Sequence, residues 1–384
     1  MASISIESRR GRAALMVAHC AGMVDLVALP VWVGTLISHF RFDPQQAGLL
    51  ATLFLAGAVL ASVLLAPRFN RLHGRIVATL GFAAAAAGFA LAAGSRDFGT
   101  LALLHALSGV ATGAALSMTH GTIARSVRPH RLFAMAGAAL GVFAVLFYAV
   151  VPQSLATAGG AALFVVFGIV MVVAALAALV AFPSPAARPQ AERAAVHFGT
   201  PVWCGIAGIA CMALVQAMTF SFLERVGSDR YFGAAAVGGV LVALSLVNLL
   251  PAPLAGLLER HWRARTVLLA GPVLQAVLTA VIMNATVFAA YAAAASLFAA
   301  VMIFTHTFAF GLLARLEPSG RALAATPAMM MAGAAIGPLL GGTIVKAAGY
   351  GSLAVAAAVL AAVAVFCFTR LPTPAQTAAQ EALA

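Results

Sequence analysis

Charged side chains are scarce in this sequence: 8% of its 384 residues are Asp, Glu, Lys or Arg, and 63% are hydrophobic. Soluble domains carry about 25% charged residues, so a soluble globular fold is excluded. The mean hydropathy of +1.05 instead predicts a protein that lies within a lipid bilayer.

Cysteine is also rare, and its four copies lie in apolar runs without the spacing of metal ligands: Cys20, Cys204, Cys211 and Cys367. We therefore predict no disulfide framework and no metal site. The nucleotide-binding pattern G-x-x-x-x-G-K-[ST] and the zinc-protease pattern H-E-x-x-H are both missing. Asp25 is the only carboxylate that falls in the middle of a predicted span. We expect a protein that is not an enzyme, is not driven by ATP and holds no cofactor.

Long apolar runs fill the rest of the chain, and each can cross about 30 Å of hydrocarbon as a helix of roughly 20 residues. They lack the period-two polarity of barrel strands, so the predicted fold is an all-α membrane protein with twelve transmembrane helices. The turn between the ninth and tenth runs is indicated only by Asn284, which leaves eleven spans as the alternative. The runs cover 13–38, 45–66, 76–94, 98–123, 132–153, 160–182, 201–223, 233–257, 266–287, 289–313, 322–345 and 352–370.

The net charge of +12 has an uneven distribution along these runs. With a cytoplasmic N-terminus, the outer loops hold Arg41, Arg96, Arg225, Arg230 and Lys346, which leaves 17 of the 22 basic residues inside. This is the positive-inside bias of membrane proteins. We therefore predict cytoplasmic N- and C-termini in the inner (cytoplasmic) membrane, and we expect no binding to nucleic acid.

The chain divides into two similar halves. A segment rich in Pro and charge, residues 182–201, follows the sixth run and reads as a linker. At an offset of 190 residues, Gly121 meets Gly311 and Arg125 meets Arg315. We predict six-helix bundles at 1–182 and 201–371, a cytoplasmic linker at 183–200 and a cytoplasmic tail at 372–384. A parallel repeat of this kind places a substrate site at mid-membrane between the halves.

The loops after the second and eighth runs, APRFNRLHGR and AGLLERHWRAR, are degenerate copies of the pattern Gly-x-x-x-Asp-Arg-x-Gly-Arg. With the twelve runs and the central linker, they make the chain resemble the major facilitator superfamily, and its arabinose-efflux-like and drug/proton antiporter branches in particular. The resemblance implies two pseudo-symmetric bundles, alternating access and a monomer. It assigns a cytoplasmic gate to Asn70, Arg71, Glu259 and Arg260. Enforcement of topology alone is the alternative for the two arginines.

Glycines recur four residues apart in both halves, at Gly137 and Gly141 and at Gly333, Gly337 and Gly341. Small residues at this spacing let helix backbones approach closely. We predict helix packing at these positions, with a bending or rocking role as the alternative.

Asp25 lies deep in the first run, within HCAGMVDLVALPVW. A charged Asp at the centre of a membrane helix costs roughly 2.5–3.5 kcal/mol on insertion scales, and such residues are functional by default. We predict that Asp25 carries a coupling proton and contacts substrate, with His105 and His306 as further proton-coupling candidates. A hydrogen bond that only fixes helix packing is the alternative.

Polar residues in the fourth run share one helical face: His105, Ser108, Thr112, Thr119 and Thr122. The resemblance places the first, fourth, seventh and tenth spans around the central path. Because Ser and Thr often bond their own helix backbone, packing against a neighbouring helix is the alternative. The predicted substrate contacts are Asp25, His105, Ser108, Thr112, Tyr148, Gln216, Asn248, Tyr291, Thr305 and His306.

These features predict a proton-coupled secondary transporter that exports a small neutral or cationic organic molecule. The spans contain no Arg or Lys near mid-depth, and strongly anionic substrates usually need such a cation. Import of a small nutrient or weak organic acid by proton symport is the alternative in the same class. A membrane sensor that does not transport, or an intramembrane enzyme, is the alternative from another class.

Overall fold

The computed structural model describes residues 4–183, 199–259, 261–316 and 326–372. All regular secondary structure in these residues is helical, and twelve helical segments are long and apolar enough to cross a membrane. In chain order the spans are Arg9–Gly22 with Val24–Ser38, Pro44–Leu65, Gly74–Ala93, Phe98–Ile123, Pro129–Ala158, Ala161–Ala181, Thr200–Asp229, Ala234–Val247 with Pro251–Leu258, Ala264–Asn284, Phe288–Leu316, Thr326–Ala348 and Ser352–Thr369.

The count of twelve is confirmed where the sequence was most ambiguous. The ninth span ends at Asn284 and the tenth begins at Phe288, so the eleven-span alternative is wrong. The predicted linker at 183–200 and tail at 372–384 lie almost wholly outside the described residues. The domain boundaries therefore remain predictions.

The seventh span is longer than predicted, because its polar end is satisfied within the helix. Ser228 Oγ donates a 2.7 Å hydrogen bond to Glu224, and Arg225 forms an ion pair with Asp229 at 2.5 Å. Pairs four residues apart face each other on a helix and support its continuation. The helix therefore runs to Asp229 rather than ending at residue 223. Glu224 therefore lies within the seventh span near its end, whereas the sequence placed it beyond the span.

Two spans are interrupted. The eighth breaks between Val247 and Pro251, where proline cannot donate the backbone hydrogen bond that would continue the helix. The first span breaks at Met23 and resumes at Val24, which puts Asp25 in the first turn of a new helix. Free backbone N–H groups and the positive end of the helix dipole favour a negative charge at that position.

The two halves pack closely against each other at one end of the bundle. We call this end the loop face. It contains the ends of the first and seventh spans at Ser38 and Asp229, and it lies opposite the end at which the N-terminal helix begins. The second span packs against the eleventh here, and the first packs against the seventh. A Cβ at Gly48 would overlap the backbone of Pro338, and one at Gly342 would overlap that of Pro44. Glycine is what allows this close approach.

Polar bonds join the same two spans. The backbone N–H of Leu339 donates a 3.1 Å hydrogen bond to Thr52 Oγ1, and Lys346 Nζ forms a 2.9 Å ion pair with Asp43. Burial raises the pKa of Asp43, but the hydrogen bond and positive charge of Lys346, together with backbone hydrogen bonds from Gln45 and Gln46, lower it by more in sum, so that its pKa lies below the usual range. The carboxylate of Asp43 therefore stays ionised at neutral pH and keeps its ion pair with Lys346 at the loop face.

The predicted packing glycines behave differently in the two halves. Gly333, Gly337 and Gly341 all pack against the seventh span, and Gly141 packs against Leu249 of the other half. Gly137 is exposed, and a Cβ there would meet no atom within 4 Å. The predicted packing role is therefore wrong for Gly137 in this arrangement of the helices.

Closure of the loop face should be sensitive to side-chain volume at Gly342. We expect Gly342→Val to separate the second and eleventh spans, because the added atoms would overlap the backbone at Pro44. The measurement is maleimide labelling of a Thr52→Cys reporter after replacement of the native cysteines. Labelling should rise with Gly342→Val and stay unchanged with Gly256→Val, where a Cβ meets nothing within 4 Å. Equal labelling in both variants would contradict the packing described here.

Candidate functional site

A pocket of about 210 Å³ lies at the loop face between the two halves. Its walls come from the second helix of the first span, the end of the fifth span, the seventh span and the start of the eighth. Polar groups in the lining are Thr35, Ser38, His39 and Glu224. Gly238 leaves part of the wall open, since a Cβ there would meet no atom within 4 Å.

Glu224 is the acidic group of this pocket. One carboxylate oxygen accepts the hydrogen bond from Ser228, and the other lies against Gly34 of the first span. The nearest basic residue in sequence, Arg225, is bonded to Asp229 instead. In the part of the chain that the structure describes, no cation lies within ion-pair distance of Glu224. The half-buried carboxylate therefore has hydrogen-bonding capacity to spare.

Asp25 occupies a different place, at the interruption of the first span. It is half-buried and forms no ion pair in the described residues. The adjacent Leu26 is 46% exposed, although the first and seventh spans are the most buried of the twelve. Val31 of the pocket wall lies six residues after Asp25, which is about 9 Å along the helix axis.

His105 is held inside the first half by two hydrogen bonds. The indole N–H of Trp32 donates to His105 Nε2 at 3.2 Å, and His105 Nδ1 lies 2.6 Å from the carbonyl of Leu101. Because indole can only donate, Nε2 is the acceptor and Nδ1 carries the proton. A second proton on the ring would break the bond to Trp32. This arrangement favours a structural role over the predicted proton-coupling and substrate-binding roles of His105.

The rest of the polar face of the fourth span also points into the first half. Thr119 and Thr122 donate to carbonyls of their own helix, at 2.8 and 2.7 Å. Thr112 lies 4.0 Å from the sulfur of Met171, and Ser108 is buried without a hydrogen-bond partner. His105, Ser108 and Thr112 contact neighbouring helices, which is the alternative that the sequence left open.

Tyr148 is likewise buried in the first half, where it donates to the carbonyl of Val27. In the second half, Gln216 accepts a 3.1 Å hydrogen bond from Gln275, and Tyr291 donates to Leu223 at 2.8 Å. These bonds fix helices within each half.

Thr305 is buried beside Gly271, and His306 Nδ1 lies 2.9 Å from the carbonyl of Met302. Asn248 lies at the break of the eighth span, with its side-chain oxygen buried and unpaired. The structure thus brings most of the predicted contacts together within each half and not around one opening. Their role in binding substrate stays a prediction.

The predicted cytoplasmic gate is only partly described. Arg71 and Glu259 are exposed, whereas the side chain of Asn70 and the whole of Arg260 lie outside the described residues. Sequence reasoning missed Glu224, which it placed beyond the seventh span, and a close contact between His19 Nδ1 and His120 Nε2 at 3.0 Å. The spacing of Glu224 to Ser228 and of Arg225 to Asp229 was the available signal that the helix continues.

Trp32 supports the first half through both its hydrogen bond and its ring contacts. It is fully buried and packs edge-on against Phe54 and Phe167. We expect Trp32→Phe to lower the free energy of unfolding by about 1–3 kcal/mol, because His105 Nε2 loses its donor. Thermal unfolding in detergent measures this, with the exposed Trp262→Phe as the matched control. Equal midpoints for the two variants would contradict the proposed role of the bond.

A family model described as the Major Facilitator Superfamily matches residues 14–316. The chain belongs to the major facilitator superfamily. It is a multi-pass membrane transporter and not an enzyme. A search among curated proteins gave no significant match.

Solved structures of superfamily members share its fold. A bacterial homologue of the human lysosomal transporter Spinster, in an inward-facing and occupied conformation, aligns with a TM-score of 0.72 at 14% identity, over 93% of this chain and 91% of its own. A variant of the nucleoside transporter NupG aligns at 0.74 and 14% identity, over 93% and 98%. The unoccupied inward-facing Spinster homologue aligns at 0.67 and 15% identity, over 94% and 95%. Identities this low show the fold alone.

Proposed function

We propose that this superfamily member is a proton-coupled secondary transporter that exports a small neutral or cationic organic molecule, with Asp25 as the proton-carrying group. The observation that carries the proposal is the setting of Asp25. It lies in the first turn of a helix at a break in an interior span, without a cationic partner in the described residues. The helix N-terminus favours the carboxylate, and burial favours the neutral acid. Such a group can take up and release a proton as its surroundings open and close.

The distribution of charge supports the class of substrate. In the described parts of the spans, basic side chains lie near the ends and none lies at mid-depth. A phosphate or carboxylate substrate would therefore meet no buried cation to offset its loss of water. Both Asp25 and Glu224 are suited to a neutral or cationic compound.

The positive-inside bias supports an orientation with both termini in the cytoplasm and a location in the inner membrane. With this orientation, the closed loop face is the outer side, and the structure corresponds to an inward-facing state. The likeness to the inward-facing Spinster homologue supports this interpretation. We propose that one chain is the complete functional unit, a monomer.

Proton movement in liposomes tests the function. A screen for ligands that raise the thermal stability of the purified protein supplies the compound, and vesicles that contain a pH-sensitive dye report proton flux when it is added. Proton flux in the direction opposite to that of the substrate supports export by antiport. Proton flux in the same direction as the substrate would contradict antiport and indicate symport. Substrate counterflow without any proton flux would overturn proton coupling.

A further inference from the structure

We propose that the pocket beside Glu224 binds a small organic cation, at a site separate from Asp25. The inference that a cation binds here depends only on the pocket. The further inference that the pocket lies on the exit route of a transported cation rests on the proposed function. Sequence reasoning assigned no role to Glu224 or to any residue of this pocket. Three features carry the proposal: charge, shape and a comparison between the two halves.

The charge of Glu224 is poorly compensated. Removal of a carboxylate from water is costly unless it gains strong partners, and here its partner is the neutral hydroxyl of Ser228. Arg225 is neutralised by Asp229, which also accepts a 2.6 Å hydrogen bond from Tyr350. His39, the other titratable group in the lining, is exposed at the rim. An ammonium group in the pocket would supply the charge-assisted hydrogen bond that the second oxygen lacks.

The shape limits the ligand to a small one. A volume of about 210 Å³ lies below the roughly 300–1,000 Å³ of pockets that hold drug-sized ligands. Apart from its few polar groups, the wall is apolar, with Val31, Leu155, Val237 and Leu241 in the lining. An ammonium ion that carries a single ring or a short hydrocarbon chain matches both the carboxylate and this wall.

The repeat shows that packing of these helices does not require a pocket. At the offset of 190 residues, Gly238 of the eighth span corresponds to Gly48 of the second. Gly48 is in close contact with the backbone of the eleventh span at Pro338, whereas a Cβ at Gly238 would meet no atom within 4 Å. By the same offset, Glu224 corresponds to Gly34, against which it lies. The carboxylate of Glu224 and the open space at Gly238 therefore both belong to the second half. The equivalent positions of the first half, Gly34 and Gly48, have neither.

Binding of benzylammonium to the purified full-length protein tests the site. We expect saturable binding by calorimetry, and weaker or no binding of benzyl alcohol, which has a similar size but no charge. Glu224→Gln keeps the shape and should weaken benzylammonium binding by roughly tenfold or more, because the charge-assisted bond is lost. Equal affinities for the wild type and Glu224→Gln would overturn the proposal.

A second pair of variants leaves the carboxylate in place. Gly238→Val fills the pocket, and Gly239→Val adds the same atoms on the same helix outside the lining, where a Cβ also meets nothing within 4 Å. We expect the first to lose binding and the second to retain it. Equal binding by the two variants would overturn the proposal.

Asp25→Asn separates this site from the proposed function. Unchanged benzylammonium binding by this variant supports a separate site, whereas its loss would show that Asp25 is the cation site instead. Benzylammonium binding to the wild type without any substrate-driven proton flux would refute proton coupling and leave the site standing.

Discussion

Asp25→Asn should abolish transport driven by a proton gradient while substrate counterflow continues. The amide keeps the size of the side chain and its place in the first turn after Met23, but it cannot take up or release a proton. Accumulation against a gradient needs that step, whereas exchange of substrate at equal concentrations does not. We expect uphill transport to fall to the level of empty liposomes, and Asp25→Glu to retain part of it.

The comparison requires both fluxes in the same liposome preparation. Thr343→Ala is a suitable control, because this exposed threonine only donates to a carbonyl of its own helix, and both of its fluxes should match the wild type. Full gradient-driven accumulation by Asp25→Asn would show that Asp25 is a packing residue. His306 would then be the next candidate, because it belongs to the tenth span, which the resemblance places beside the central path.

The fold could be predicted from sequence because the bilayer imposes a simple rule: each backbone polar group must be satisfied within its own segment. Apolar runs of about 20 residues then identify the spans almost directly. The errors occurred where polar side chains satisfy each other. Glu224 with Ser228, and Arg225 with Asp229, extend the seventh helix beyond the point at which hydropathy falls.

The site was harder to predict because helical phase alone does not identify the neighbour. The sequence identifies the face of the fourth span that carries His105 and Thr112, but such a face can either line a central cavity or pack against neighbouring helices. In the structure, His105 contacts Trp32 and Thr112 contacts Met171. The break at Met23 was missed although Gly22 and Asp25 flank it, because the apolar run continues on both sides. Only the packed helices show which polar groups already have partners and which, like Glu224, have few.

The contacts between the halves also have a consequence for the transport cycle. Glycines at 48 and 342 let two backbones touch, and the ion pair of Asp43 with Lys346 adds a bond between oppositely charged groups at the same face. Exposed ion pairs contribute about 1 kcal/mol or less, so the ion pair adds little to the closure. Packing at the glycines therefore carries more of the closure than charge does.

A disulfide across this face should stop transport reversibly. Thr52 Oγ1 lies 3.1 Å from the backbone nitrogen of Leu339, so positions 52 and 339 are near enough for a disulfide between cysteines there to be tested. In a background without the native cysteines, oxidation should hold the second span against the eleventh. Because the alternating access that we propose requires this face to open, we expect counterflow and gradient-driven transport both to fall to background, and reductant to restore them.

A disulfide within one half provides the matched control. Thr219 and Thr279 have hydroxyl oxygens 3.1 Å apart and both belong to the second half, so we expect cysteines there to join helices that move together. Mass spectrometry of the oxidised proteins should show both disulfides, while only the pair at 52 and 339 stops transport. Full transport by that oxidised pair would contradict opening at the loop face, because a covalent bond of about 2 Å leaves the second and eleventh spans no freedom to separate there.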